Sequence, residues 1–130
     1  MHQNGNDRTF RGLLVWRQGM DLAKACYALT KTFPREEMYG LTMQIRRAAI
    51  SVPANIAEGS GRRTRKDYVN FLRIAQGSLR ELETYLLLIV EVRLVAGEAA
   101  RPLQMQVQSV ARLLNRLIQS LEIRARPLTP

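Results

Sequence analysis

The sequence predicts an all-α fold, an up-down four-helix bundle with a kinked second helix that associates with copies of itself. Three observations point to the bundle. Apolar residues recur at spacings of three and four in four separate stretches, no stretch shows the period of two that a half-buried strand needs, and proline or glycine separates the stretches. A chain of 130 residues is the size of one domain with one continuous core. The expected division is a disordered segment 1–12, a bundle over 13–124 and a flexible tail 125–130, since polar residues fill the start and Pro127 and Pro130 the end.

The first helix is expected over 13–31, with Leu13, Trp16, Met20, Ala23, Tyr27 and Thr30 on its apolar face. Pro34 stops it by disfavouring helical geometry at Phe33. The second runs over 41–57 with Leu41, Ile45, Ala48, Val52 and Ile56 in line. Pro53 removes a backbone donor inside it and predicts a kink near 49–52. Gly59, Ser60 and Gly61 then supply a glycine C-cap. Thr64 and Asp67 form a capping pair that opens the third helix, the longest, which carries Tyr68, Phe71, Ala75, Ser78, Leu82, Tyr85, Ile89 and Val92 to about residue 95, where Gly97 breaks it. The fourth starts near Ala99 or Pro102 and places Leu103, Val107, Val110, Leu114, Leu117 and Leu121 on a seven-residue repeat, a seam that packs at shallow angles.

Leu79, Leu86, Leu87 and Leu88 on the third helix, with Met105, Leu113 and Ile118 on the fourth, lie beside these seams. A second apolar face on a small bundle calls for a neighbouring subunit, because large apolar patches are rare on monomers.

Lys and Arg number 20 against 11 Asp and Glu, a formal charge of +9 that attracts phosphate polymers and other acidic partners. Arg62, Arg63, Arg65 and Lys66 concentrate that charge at the start of the third helix, with Arg46 and Arg47 earlier in the chain. Arginine can donate two hydrogen bonds to one phosphate, and a helix N-terminus favours anions, so these six residues are the candidate nucleic-acid contacts. A solvated charged loop has the same composition. Nothing in the sequence matches a recognition helix or a zinc finger, so any contact is expected to be to the backbone and non-specific.

Gln44, Arg47, Ser51, Asn55 and Glu58 follow one another at spacings of three, four, four and three, one polar stripe beside the apolar one. Together with Ser78 and Glu81 they are expected to form a structural polar network that fixes helix register.

Enzymatic chemistry has no footing. His2 is the single histidine, Gly59 and Gly61 lack a following Gly-Lys-Ser/Thr, and the pairs Glu36–Glu37 and Glu81–Glu83 have no group to tune them. No cofactor, metal or catalytic residue is expected. Cys26 is the single cysteine, so no intrachain disulfide can form and it is expected to pack as a small hydrophobe in a reducing compartment. Without an 18-residue apolar run or a signal-peptide core, the chain is expected to be cytoplasmic and not membrane-bound.

Trp16, Thr30, Phe33, Pro34, Glu37, Gly40, Leu41, Gln44, Arg46, Arg47, Ala48, Ser51, Pro53, Asn55, Ile56, Ala57, Glu58, Gly59, Phe71, Leu72, Ala75, Ser78, Glu81 and Leu82 resemble one known family. It comprises the four-helix bundle proteins encoded in intervening sequences of bacterial 23S ribosomal RNA genes, related to the accessory variability determinant proteins of diversity-generating retroelements. The resemblance spans about 14–94, with 46–59 its most specific part. It implies a ring-like homo-oligomer of five subunits, a homopentamer, with a basic surface and nucleic-acid binding, RNA or DNA, as an accessory protein. A reverse transcriptase or another protein is an implied partner. The rival expectation is a protein-assembly scaffold or adaptor whose charge has no nucleic-acid role.

Overall fold

The structure, a computed structural model, describes residues 7–125. The expected loose ends at 1–6 and 126–130, His2 among them, lie outside the described residues. Four helices, α1 (Leu14–Thr30), α2 (Met43–Ser60), α3 (Arg65–Glu91) and α4 (Gly97–Ala125), make an all-α bundle with no strand among the described residues.

Each helix packs mainly on two neighbours, α2 on α1 and α3, and α4 on α3 and α1, so the α1–α2 face lies opposite the α3–α4 face. Neighbours are antiparallel. Across α2 and α3, Ser51 meets Ser78 while Gly59 lies against Phe71. Across α3 and α4, Glu83 meets Gln108 while Arg73 meets Glu122. The α1–α2 and α3–α4 connections therefore share one end of the bundle, and the α2–α3 turn stands at the other.

The core holds Leu22, Ile45, Val52, Ile56, Leu72, Leu82, Leu86, Ile89, Val110 and Leu114, all fully buried. In α4 the expected seam is the buried one, apart from half-buried Leu117, and Ile118 joins it. On α1 the buried set is Val15, Gly19, Leu22, Ala23, Cys26 and Thr30, whereas Met20 and Tyr27 are exposed. The helix keeps Ala23 and Thr30 of the expected stripe inside and is rotated so that Met20 and Tyr27 face outwards. Its small residues face α2 closely enough that a Cβ on Gly19 would be 3.6 Å from Pro53 Cβ, a separation that Met20 or Tyr27 in that position would prevent. On α3, Leu79 and Leu86 belong to the core and Val92 to the surface, because a helix wedged between two others buries a stripe wider than one seam.

Several boundaries move. Phe10–Gly12 form a 3₁₀ turn within the segment expected to be disordered, held by Phe10 packing edge-on against Trp16 at 5.1 Å. Ahead of α2, Met38–Thr42 make a wide π-helical turn, and the helical path breaks there at Gly40 (φ −109°, ψ −113°). Pro53 is buried inside α2, which continues beyond it to Ser60. No left-handed glycine ends α2, since Gly61 has φ −90°. Gly59 is needed for proximity instead: a Cβ there would stand 2.9 Å from Phe71 Cβ and 3.1 Å from the Tyr68 carbonyl oxygen.

Helix α3 closes without glycine. Arg93 takes the left-handed conformation (φ 61°), Leu94 N–H bonds Ile89 C=O at 2.8 Å and Arg93 N–H bonds Val90 C=O at 3.0 Å. These two bonds make a Schellman ending on an arginine. Gly97, expected to break α3, begins α4, which contains Pro102 and at 29 residues exceeds the 27 of α3.

Two predictions follow from this packing. Gly59→Ala should destabilise the protein by about 1–3 kcal/mol through overpacking, even after the helix propensity gained by losing a glycine. Gly77→Ala, with nothing within 4 Å of the added methyl, should stabilise it by up to about 1 kcal/mol; urea melts of both variants check the signs. The second concerns pH. Burial pushes the Cys26 thiol up from 9.0 to about 12 and raises the Tyr68 phenol as well. Both groups hold their protons more tightly when folded, so their contribution is intact below about pH 9 and is lost as pH rises towards 12, which thermal melts across that range should record as a falling midpoint.

Candidate nucleic-acid interface

The basic cluster is built by the α2–α3 turn. Thr64 Oγ1 accepts from Asp67 N–H at 3.1 Å and so fixes the start of α3. Arg62, Arg63, Arg65 and Lys66 are all exposed around it. Arg62 is held down: Nη2 donates to Glu58 Oε2 at 2.6 Å, and its guanidinium lies 4.6 Å from the Phe71 ring centre. Arg63 and Lys66 pair with no carboxylate among the described residues, so their charge faces solvent uncompensated.

Arg46 and Arg47 belong to a different place. They stand near the opposite end of α2, about 20 Å from its last residue, Ser60, at 1.5 Å per helical residue. Arg46 is half-buried and ties α2 to α1, its Nε donating to Thr30 Oγ1 at 2.8 Å and its guanidinium 4.5 Å from the Tyr27 ring centre. Arg47 is exposed. Both line a groove of about 780 Å³ on the α1–α2 face, together with Tyr27, Met38, Tyr39, Met43 and Ile50. Tyr39 is 84% exposed. Sequence reasoning missed this groove, because Met38 and Tyr39 precede the stretch read as a helix. The available signal was the spacing of Met43 and Ile50, seven apart and off the buried stripe.

The polar stripe divides. Ser51 Oγ and Ser78 Oγ share a hydrogen bond of 2.7 Å, and Asn55 Nδ2 donates to Ser51 O and Oγ at 2.8 and 2.9 Å. Gln44, Arg47 and Glu81 are exposed and stand outside this network, while Glu58 turns to Arg62. No group of three or more His, Cys, Asp and Glu capable of holding a metal ion occurs among the described residues, and no helix there is long and apolar enough to cross a membrane.

Asn55→Ala should lower stability by about 0.5–1.5 kcal/mol, the usual loss for half-buried hydrogen bonds. Glu58→Ala removes only a surface ion pair and should cost less than about 1 kcal/mol. Chemical denaturation of the two variants, with equal slopes, would rank them.

A crystal structure of a protein of unknown function from the S23 ribosomal protein family of Bacteroides thetaiotaomicron is similar to the chain. The two share 25% identity at a TM-score of 0.76, over 81% of this chain and 98% of that one. No curated protein matches the chain significantly. The model of the 23S rRNA-intervening sequence proteins matches residues 11–116, across all four helices. The chain therefore belongs to the 23S rRNA-intervening sequence protein family.

Proposed function

We propose that the protein is a non-enzymatic, cytoplasmic accessory protein that assembles with copies of itself and binds the backbone of RNA or DNA without sequence preference. The observation that carries the reading is the α2–α3 turn, where Arg62, Arg63, Arg65 and Lys66 crowd one end of the bundle and Arg63 and Lys66 have no acidic partner among the described residues. A formal charge of +9 strengthens attraction to any polyanion.

Self-assembly is supported by the apolar side chains left outside the core, among them Tyr27, Met43 and Ile50 on one face and Leu87 and Met105 on another. The family resemblance favours five copies. Repetition of the basic turn in an assembly would let one phosphate polymer touch several turns, raising avidity without new contacts.

The expected outcome is binding of duplex DNA or structured RNA at low salt, with affinity falling steeply as salt rises. Arg63→Glu with Lys66→Glu should weaken it on every sequence and reduce the slope of log affinity against log salt by about 0.7–0.9 per phosphate contact removed. Fluorescence anisotropy over a salt series measures both. A wild-type protein that binds neither polymer at low salt would sink the nucleic-acid reading and leave the assembly scaffold in its place.

A further inference from the structure

The bundle carries two exposed apolar patches on opposite faces but at the same end. One is the α1–α2 groove, where Met43 and Ile50 are each 46% exposed and Tyr39 stands almost fully in water. No acidic residue lines it, whereas Arg46 and Arg47 do, and the depression beside it that shares Tyr27 and Ile50 adds Lys24 and Lys31. The other lies on the α3–α4 face. Arg73–Glu122, Gln76–Asn115 and Glu83–Gln108 close the seam between those helices with polar pairs. Past that seam Leu87 and Met105 emerge 55% and 64% exposed, in a concavity with Glu83, Glu98 and a single cation, Arg101.

We propose that the α1–α2 groove of one copy receives the Leu87–Met105 patch of the next, a head-to-tail contact between two copies of this chain. This assignment rests on the self-assembly reading above and specifies which surfaces meet. Charge decides between the possible pairings. Groove against groove would set Arg46 and Arg47 against themselves, whereas groove against the α3–α4 patch brings them towards Glu83 and Glu98. Tyrosine, methionine and arginine are among the residues enriched at protein interfaces, and the groove supplies all three.

The geometry has a further consequence for the assembly. Both patches lie near the end that bears the α1–α2 and α3–α4 connections, so successive copies stand side by side. The opposite end, carrying Arg63 and Lys66, is repeated along one rim and stays clear of the contact. Because the two surfaces differ, each copy keeps one of each open until the arrangement closes.

Complementation tests the pairing. Ile50→Asp spoils the groove and leaves the patch intact; Met105→Asp does the reverse. Both positions are exposed, and circular dichroism melts would show that each variant remains folded. By light scattering in the high micromolar range, wild type should be an oligomer, each variant alone a monomer, and their equimolar mixture a heterodimer with one sound interface. An oligomeric wild type whose Met105→Asp variant assembles as before would overturn the pairing while leaving self-assembly standing. So would a mixture that stays monomeric. A monomeric wild type would remove the self-assembly reading itself, and the pairing with it.

Discussion

The close approach of α2 to α3 is the constraint on which the rest depends. Gly59 lets the Phe71 side chain and the Tyr68 carbonyl come within about the distance a methyl would need, and Ser51 meets Ser78 directly at 2.7 Å. Small side chains draw two helix axes together until backbone and Cβ atoms set the spacing, and dispersion contacts then accumulate along the whole pair. Ala48, Ala49 and Ala75 continue the same pattern of small buried residues. With these axes fixed, larger side chains such as Ile56, Leu72 and Leu82 fill the bundle centre, and α1 and α4 close over them.

That constraint also explains the chemistry of the turn. Helices held so near one another at Gly59 leave a short connection over 61–64, and the four cations of 62–66 are exposed along it and the first turn of α3. Arg62 is drawn back by Glu58 and laid on Phe71, giving up part of its charge to hold the turn on the bundle. Arg63 and Lys66 have no such restraint. One basic run therefore contains a residue that fastens the turn and residues whose charge faces solvent, and the four-residue spacing of Glu58 and Arg62 is the sign of it in the sequence.

Arg46 shows the same division at the other end of α2. It joins Thr30 and Tyr27 of α1 and so stabilises the wall of the groove, while Arg47, its neighbour in sequence, projects from the rim. Consecutive helical residues point about 100° apart, so adjacent arginines meet different surroundings. The two ends of α2 thus hold separate surfaces, one rich in exposed cations and one in exposed apolar side chains.

The sequence by itself determined the number of helices, their approximate limits and the α4 seam, because these depend on local periodicity and on proline and capping residues that act within a few positions. It also made the basic run at 62–66 visible. Only the tertiary structure decided which of two apolar stripes α1 would bury. The spacing favoured a stripe that includes Met20 and Tyr27, but the buried stripe is Val15, Gly19, Leu22, Ala23, Cys26 and Thr30, which shares only Ala23 and Thr30 with it. It likewise assigned Gly59 to close packing and let Arg93 end α3 in a left-handed turn, because both depend on groups distant in sequence or on a backbone conformation that arginine seldom adopts. The polar stripe separated for the same reason: Ser51 and Asn55 found Ser78 across the α2–α3 contact, while Gln44, Arg47 and Glu81 lay beyond its reach. A helical pattern says which residues share a face, and the neighbouring helices decide which face is inside.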